Sequence, residues 1–98
     1  MRYRPDVADV AGSSEEAIAR RVKRVLVDEL ELEVAPSDIQ LDDVLYAPHI
    51  QLESLGYLKL ILGLEQEFGF HVGNDETGRV MFETVRDIVA YVNRKVAA

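Results

Sequence analysis

The chain has no cysteine, no tryptophan and only three prolines, and its 11 Lys and Arg are outnumbered by 18 Asp and Glu. Without cysteine there is no disulfide framework, no thiolate nucleophile and no zinc knuckle. A formal net charge of −7 over 98 residues speaks against nucleic acid as a partner, because binding to phosphate is driven by clustered cations. No run reaches about 18 unbroken apolar residues, so nothing reads as a membrane span. The opening Met-Arg-Tyr-Arg-Pro-Asp lacks the apolar core of a secretory signal. The expectation is a cytoplasmic monomer that inserts into no membrane.

What is present suits one globular domain: 48% of residues are hydrophobic, and the length leaves no room for a second core. The acidity is uneven, with 11 acidic and 6 basic side chains in residues 1–52 against 7 and 5 in residues 53–98. Residues 1–12 show no sustained period and read as a flexible tail, leaving 13–98 as the domain. Ser13 and Glu16 have capping-box spacing and predict a helix over 14–32. Ile18, Val22, Val25, Leu26 and Leu30 form its apolar stripe. Arg20, Arg21, Lys23 and Arg24 form a basic, solvated face, with Arg24 and Asp28 at ion-pair spacing.

Residues 34–53 make a connection of unusual length for a compact domain. Ile39, Leu41, Val44, Leu45 and Leu52 bring it down onto the core, and Ser37 or Asp38 can begin a short helical turn. A second helix follows to Phe68, with apolar residues at 55, 58, 62 and at 61, 64, 68. Asp75–Met81 predicts a short third helix. Thr84, with Asp87 three residues on, caps a last helix whose inward stripe is Val85, Ile88, Val89, Val92 and Val96. The fold class is all-α, a bundle of four helices.

Ser54 stands where the long connection ends and the second helix begins. Its hydroxyl can cap that helix by accepting a first-turn N–H. The same electropositive helix end equally favours a phosphate joined to the hydroxyl. A hydrolase would need a histidine and an acid in reach of the serine. His49 and Asp42-Asp43 are close in sequence, but a Gly-x-Ser-x-Gly elbow is absent. Neither His49 nor His71 has a carboxylate at metal-ligand spacing, so no metal is expected.

Glu53-Ser54-Leu55 opens an amphipathic helix that ends Leu64-Glu65-Gln66-Glu67-Phe68-Gly69-Phe70. With the acidic turn Val72–Glu76 and Thr84-Val85-Arg86-Asp87-Ile88, it resembles the acyl carrier protein family over about residues 14–96. The resemblance implies a four-helix bundle with a long loop between helices 1 and 2 and a short third helix. It implies a carrier rather than an enzyme, with Ser54 esterified to 4′-phosphopantetheine and acyl cargo held as a thioester. The setting implied is fatty acid, lipid or polyketide-type biosynthesis. Implied partners are a phosphopantetheinyl transferase and the loading, extending and unloading enzymes of one pathway, meeting Glu53, Leu55, Gly56, Lys59, Leu62 and Glu65. Two alternatives stand beside it: an aminoacyl or peptidyl carrier of nonribosomal synthesis, and a helical interaction domain in which Ser54 is only a cap.

The sequence departs from the family pattern at Glu53, usually Asp, at Gly56, commonly acidic, and at Lys59, usually glutamate. Residues 79–83 make the segment before the last helix about two residues longer than the family pattern. In the family, an acidic second helix docks against basic partner patches. Its dilution here implies a dedicated pathway rather than housekeeping fatty acid synthesis. Gly56 and Gly63 lie about 20° apart around the helix, leaving room either for cargo or partner backbone or for tight packing against another helix.

Overall fold

The computed structural model describes residues 5–73 and 82–97, and side chains from residue 15 on. Among them are three α-helices, α1 (Pro5–Leu30), α2 (Ser54–Phe68) and α3 (Val85–Ala97), and one 3-10 turn, Pro36–Asp38. The third helix expected over Asp75–Met81 lies outside the described residues. The all-α class holds, and α1 packs against both α2 and α3.

Helix α1 corrects two expectations. It is helical from Pro5 rather than from about residue 14, so the segment read as a tail is helical from there on and Ser13 lies inside a helix instead of capping one. Proline suits a first helical position because its fixed φ is helical and its missing N–H would have no partner there. Val7, Val10 and Ala11 extend the apolar spacing upstream, and a lone Gly12 costs only about 1 kcal/mol. The helix stops at Leu30 through its backbone: Glu31 takes a left-handed φ of 52° and the Leu32 N–H donates to the Val27 carbonyl at 3.0 Å. That is a Schellman closure with glutamate where glycine is usual. Glu31→Gly should raise stability by about 0.5–1 kcal/mol, the relieved Cβ penalty exceeding the freer unfolded chain. An unchanged or lower urea midpoint would contradict this.

The expected Arg24–Asp28 pair is replaced by a contact between helices. Arg21 donates through Nε to Glu67 Oε2 at 2.7 Å and through its guanidinium to the Glu67 carbonyl at 2.7 Å, and Arg24 reaches the same carboxylate at 3.2 Å. The Arg21 guanidinium also lies 4.4 Å from the centre of the Phe68 ring. Two cations therefore sit at the C-terminal end of α2, where the helix dipole favours positive charge.

The long connection is pinned at both ends. Its 3-10 turn is held by Asp38, whose carboxylate accepts the Ala35 N–H at 3.0 Å. Further along, the Leu45 N–H donates to the Glu83 carbonyl at 2.9 Å, Val85 N–H to Asp43 at 3.1 Å and Arg86 N–H to Leu41 at 2.8 Å. These bonds surround an antiparallel bridge between Val44 and Thr84. The connection contributes Ile39, Leu45 and Ile50 to the core, beside Val22, Val25 and Leu26 of α1, Leu60 and Leu64 of α2, and Val85, Ile88 and Val92 of α3. Of the expected last-helix stripe, Val96 is exposed while the other four residues are buried. Thr84 and Asp87 close the predicted box: Asp87 Oδ2 accepts the Glu83 and Thr84 N–H groups at 2.9 and 3.1 Å, and the Asp87 N–H reaches Thr84 Oγ1 at 3.3 Å.

Three carboxylates are held below the ordinary carboxylate range. Asp43 is lowered by the Gln40 N–H and then by His49, Glu67 by Arg21, and Asp87 by the Glu83 and Thr84 N–H groups. A depressed folded pKa gives stability that is complete above the unfolded value and is lost as the pH falls through the folded one. The melting temperature should therefore be flat near neutrality and decline once the pH drops below about 4. Asp87→Asn should flatten that decline; an equally steep acid limb would show that the cap carries none of it.

Candidate functional site

The chain reaches Ser54 through a tight turn. The Ile50 and Gln51 N–H groups both donate to the Ala47 carbonyl, at 2.9 and 2.7 Å, and the Leu52 N–H returns to the Leu45 carbonyl at 2.8 Å. Gln51 takes a left-handed φ of 52°, and Ile50 is buried. Glu53 is extended, with φ −120° and ψ 176°, and serves as the N-cap of α2 without a side-chain bond. Ser54 is the first helical residue and is exposed.

This geometry bears on one of the two roles open to the hydroxyl, that of a helix cap. The first backbone bond of α2 runs from the Tyr57 N–H to the Glu53 carbonyl at 2.7 Å. The N–H groups of Ser54, Leu55 and Gly56 thus have no partner within the helix. The serine hydroxyl makes no hydrogen bond among the described residues, to those N–H groups or to His49. It is no cap. His49 is occupied with Asp43, Nε2 to Oδ2 at 2.9 Å, and the two form no triad with Ser54.

The residues proposed to surround Ser54 separate into two groups. Leu55, Lys59 and Leu62 face outward, with Leu55 68% and Leu62 57% exposed. Leu58, one turn beyond Ser54, joins them at 51%. The buried face of α2 is instead Leu60, Ile61, Gly63 and Leu64. The spacing 55, 58, 62 was visible in the sequence as an apolar row, and its mean direction points away from the 60, 64 row that meets α1. Tyr46, 70% exposed, carried no signal in its loop.

Gly56 and Glu65 are half-buried and engaged by the rest of the fold. A Cβ on Gly56 would lie 2.9 Å from Leu30 Cδ2 and 3.5 Å from Leu52 Cδ1. Glu65 accepts the Val72 N–H at 2.6 Å and lies 3.3 Å from His71 Nδ1, so its carboxylate fastens the chain that leaves α2. Gly63 likewise resolves toward packing: its Cβ would meet Glu29 Cγ at 2.5 Å and Val25 Cγ1 at 2.9 Å. Both glycines permit the close approach of α1.

An acyl carrier protein of Thermosynechococcus vestitus is 31% identical to this chain over 81 residues, which is 83% of this chain and 94% of the relative. The chain belongs to the acyl carrier protein family. Further acyl carrier proteins agree: one from Chlamydia trachomatis is 30% identical over 76% of this chain and 90% of its own. One from Solidesulfovibrio magneticus is 24% identical over 81% and 95%. No family model matches the chain. In this acyl carrier protein no helix among the described residues is long and apolar enough to cross a membrane.

Proposed function

We propose that this protein carries acyl groups on a 4′-phosphopantetheine arm attached to Ser54, and performs no catalysis of its own. The observation that carries this is the Ser54 hydroxyl: exposed, free of hydrogen bonds among the described residues and set at the first residue of α2. The surroundings suit the group. Attachment joins the serine oxygen to phosphorus and releases 3′,5′-adenosine bisphosphate from coenzyme A, leaving a phosphodiester at the helix N-terminus. The N–H groups of Ser54, Leu55 and Gly56 supply partial positive charge there, and the first turn holds no carboxylate to oppose it. When bound, the group supplies a terminal thiol that holds cargo as a thioester.

The protein's own contribution is positional. The pinned connection fixes the start of α2, and the packing of α1 on Gly56 and Gly63 fixes its direction. Leu55, Leu58 and Leu62 give visiting enzymes an apolar surface beside the serine. Lys59, where the family pattern has glutamate, supports service to a dedicated pathway.

The chain, first converted with coenzyme A and a phosphopantetheinyl transferase, should then be offered acyl and aminoacyl donors with their loading enzymes. Acyl loading with no aminoacyl loading is expected, and the reverse would assign it to nonribosomal synthesis. Beside a housekeeping carrier it should be a poorer substrate for standard fatty acid synthesis enzymes, and equal efficiency would remove the dedicated role.

A further inference from the structure

Helix α2 carries three charged side chains, Lys59, Glu65 and Glu67, and the fold consumes two of them. Glu65 is 19% exposed and bound to the Val72 N–H and to His71. Glu67 is 26% exposed and bound by Arg21 and Arg24. Lys59 is exposed and has no ion pair or hydrogen bond among the described residues. Glu53, at the cap, lies about 120° from Lys59 around the helix. In a chain of formal charge −7, the outward face of α2 therefore carries three leucines and, as its only charge among the described residues, one cation.

Those four residues form a single surface. At 100° per residue, Leu58, Leu62 and Leu55 fall within about 60° of one another, Lys59 lies about 40° beyond Leu55, and Ser54 about 40° before Leu58. We propose that the enzymes docking at Ser54, beginning with its transferase, seat these leucines in an apolar recess and set a carboxylate against Lys59. Among the described residues a basic patch would find no free carboxylate within this row of side chains and would meet Lys59 with like charge. Long-range attraction by the rest of the chain is screened within about 8 Å at physiological salt, so the local face governs the docked complex. This inference rests on the carrier role of Ser54 and adds the chemistry of its partner.

The test is phosphopantetheinylation of the purified chain by a transferase from its own source organism, with kcat/KM measured for the parent, Leu62→Ser and Lys59→Glu. All substituted side chains are exposed, and thermal melts confirm that each variant is folded. Between ionic strengths of roughly 0.15 and 1 M, where the screening length falls from about 8 to about 3 Å and the charge of the rest of the chain is already screened, the parent should change by less than about twofold. Leu62→Ser should lose about tenfold, mainly in KM, as one leucine's burial is withdrawn. Lys59→Glu should lose roughly fivefold, as attraction becomes repulsion. A parent rate that collapses with salt, or a Lys59→Glu variant that is faster than the parent, would overturn the proposal while leaving the carrier role intact. A parent that acquires no phosphopantetheine at Ser54 would defeat the carrier role itself and the docking chemistry with it.

Discussion

Leucine in place of Gly63 should lower the stability of the chain by about 2–3 kcal/mol, a fall of roughly 10–20 °C in melting temperature. The added Cβ alone would lie 2.5 Å from Glu29 Cγ and 2.9 Å from Val25 Cγ1, well inside ordinary carbon contact of about 3.5–4 Å. Glu29 can swing toward solvent, but Val25 is buried and cannot yield without moving α1. Helix propensity works the other way, by at most about 1 kcal/mol for losing the glycine. Gly63→Ala should therefore already be destabilised, by about 1 kcal/mol once its helix-propensity gain is set against the overpacking, and Gly63→Leu by clearly more. Equal melting curves for the two variants would mean that α1 and α2 are not held together at this point.

Ser54→Ala should have the opposite profile, with an unchanged fold and no carrier capacity. The residue is exposed, its hydroxyl makes no cap, and the backbone of Glu53 already accepts the first helical bond. A surface change of that kind moves stability by no more than about 0.5 kcal/mol. Loading should drop to background, because no other serine stands at the start of α2. A melt that shifts by several degrees would give Ser54 a structural role that its exposed, unbonded side chain does not have. Residual loading at the parent level would place the arm elsewhere.

The sequence made the helices legible wherever apolar periodicity and local chemistry agreed. Thr84 and Asp87 are the clearest case: a side-chain pair three residues apart closes its own hydrogen bonds whatever the tertiary setting. Ser13 and Glu16 have the same spacing yet stand inside a helix rather than at its start, because the apolar pattern continues upstream and the helix runs from Pro5. Spacing shows where a cap can form, not whether the chain stops there.

At the candidate site, the position of Ser54 and the outward row of Leu55, Lys59 and Leu62 were readable, while the surroundings of Gly56 and Glu65 were not. Gly56, Lys59 and Glu65 look equivalent as departures or matches along one helix. Only the position of α1 turns Gly56 inward, and only the returning chain at Val72 occupies Glu65. The roles of Arg21 and Glu67 were hidden for the same reason, since they lie 46 residues apart in sequence. Ile50 was passed over in a segment with no period, and the turn at Ala47 is what buries it.

The most direct test of the account is the intact mass of the purified chain after incubation with coenzyme A and a phosphopantetheinyl transferase, followed by fragmentation to locate any added group. One phosphopantetheine per chain, on the peptide bearing Ser54, is the result the structure leads us to expect. A chain that stays unmodified under conditions that fully convert an established carrier, or that carries the group on another residue, would contradict it.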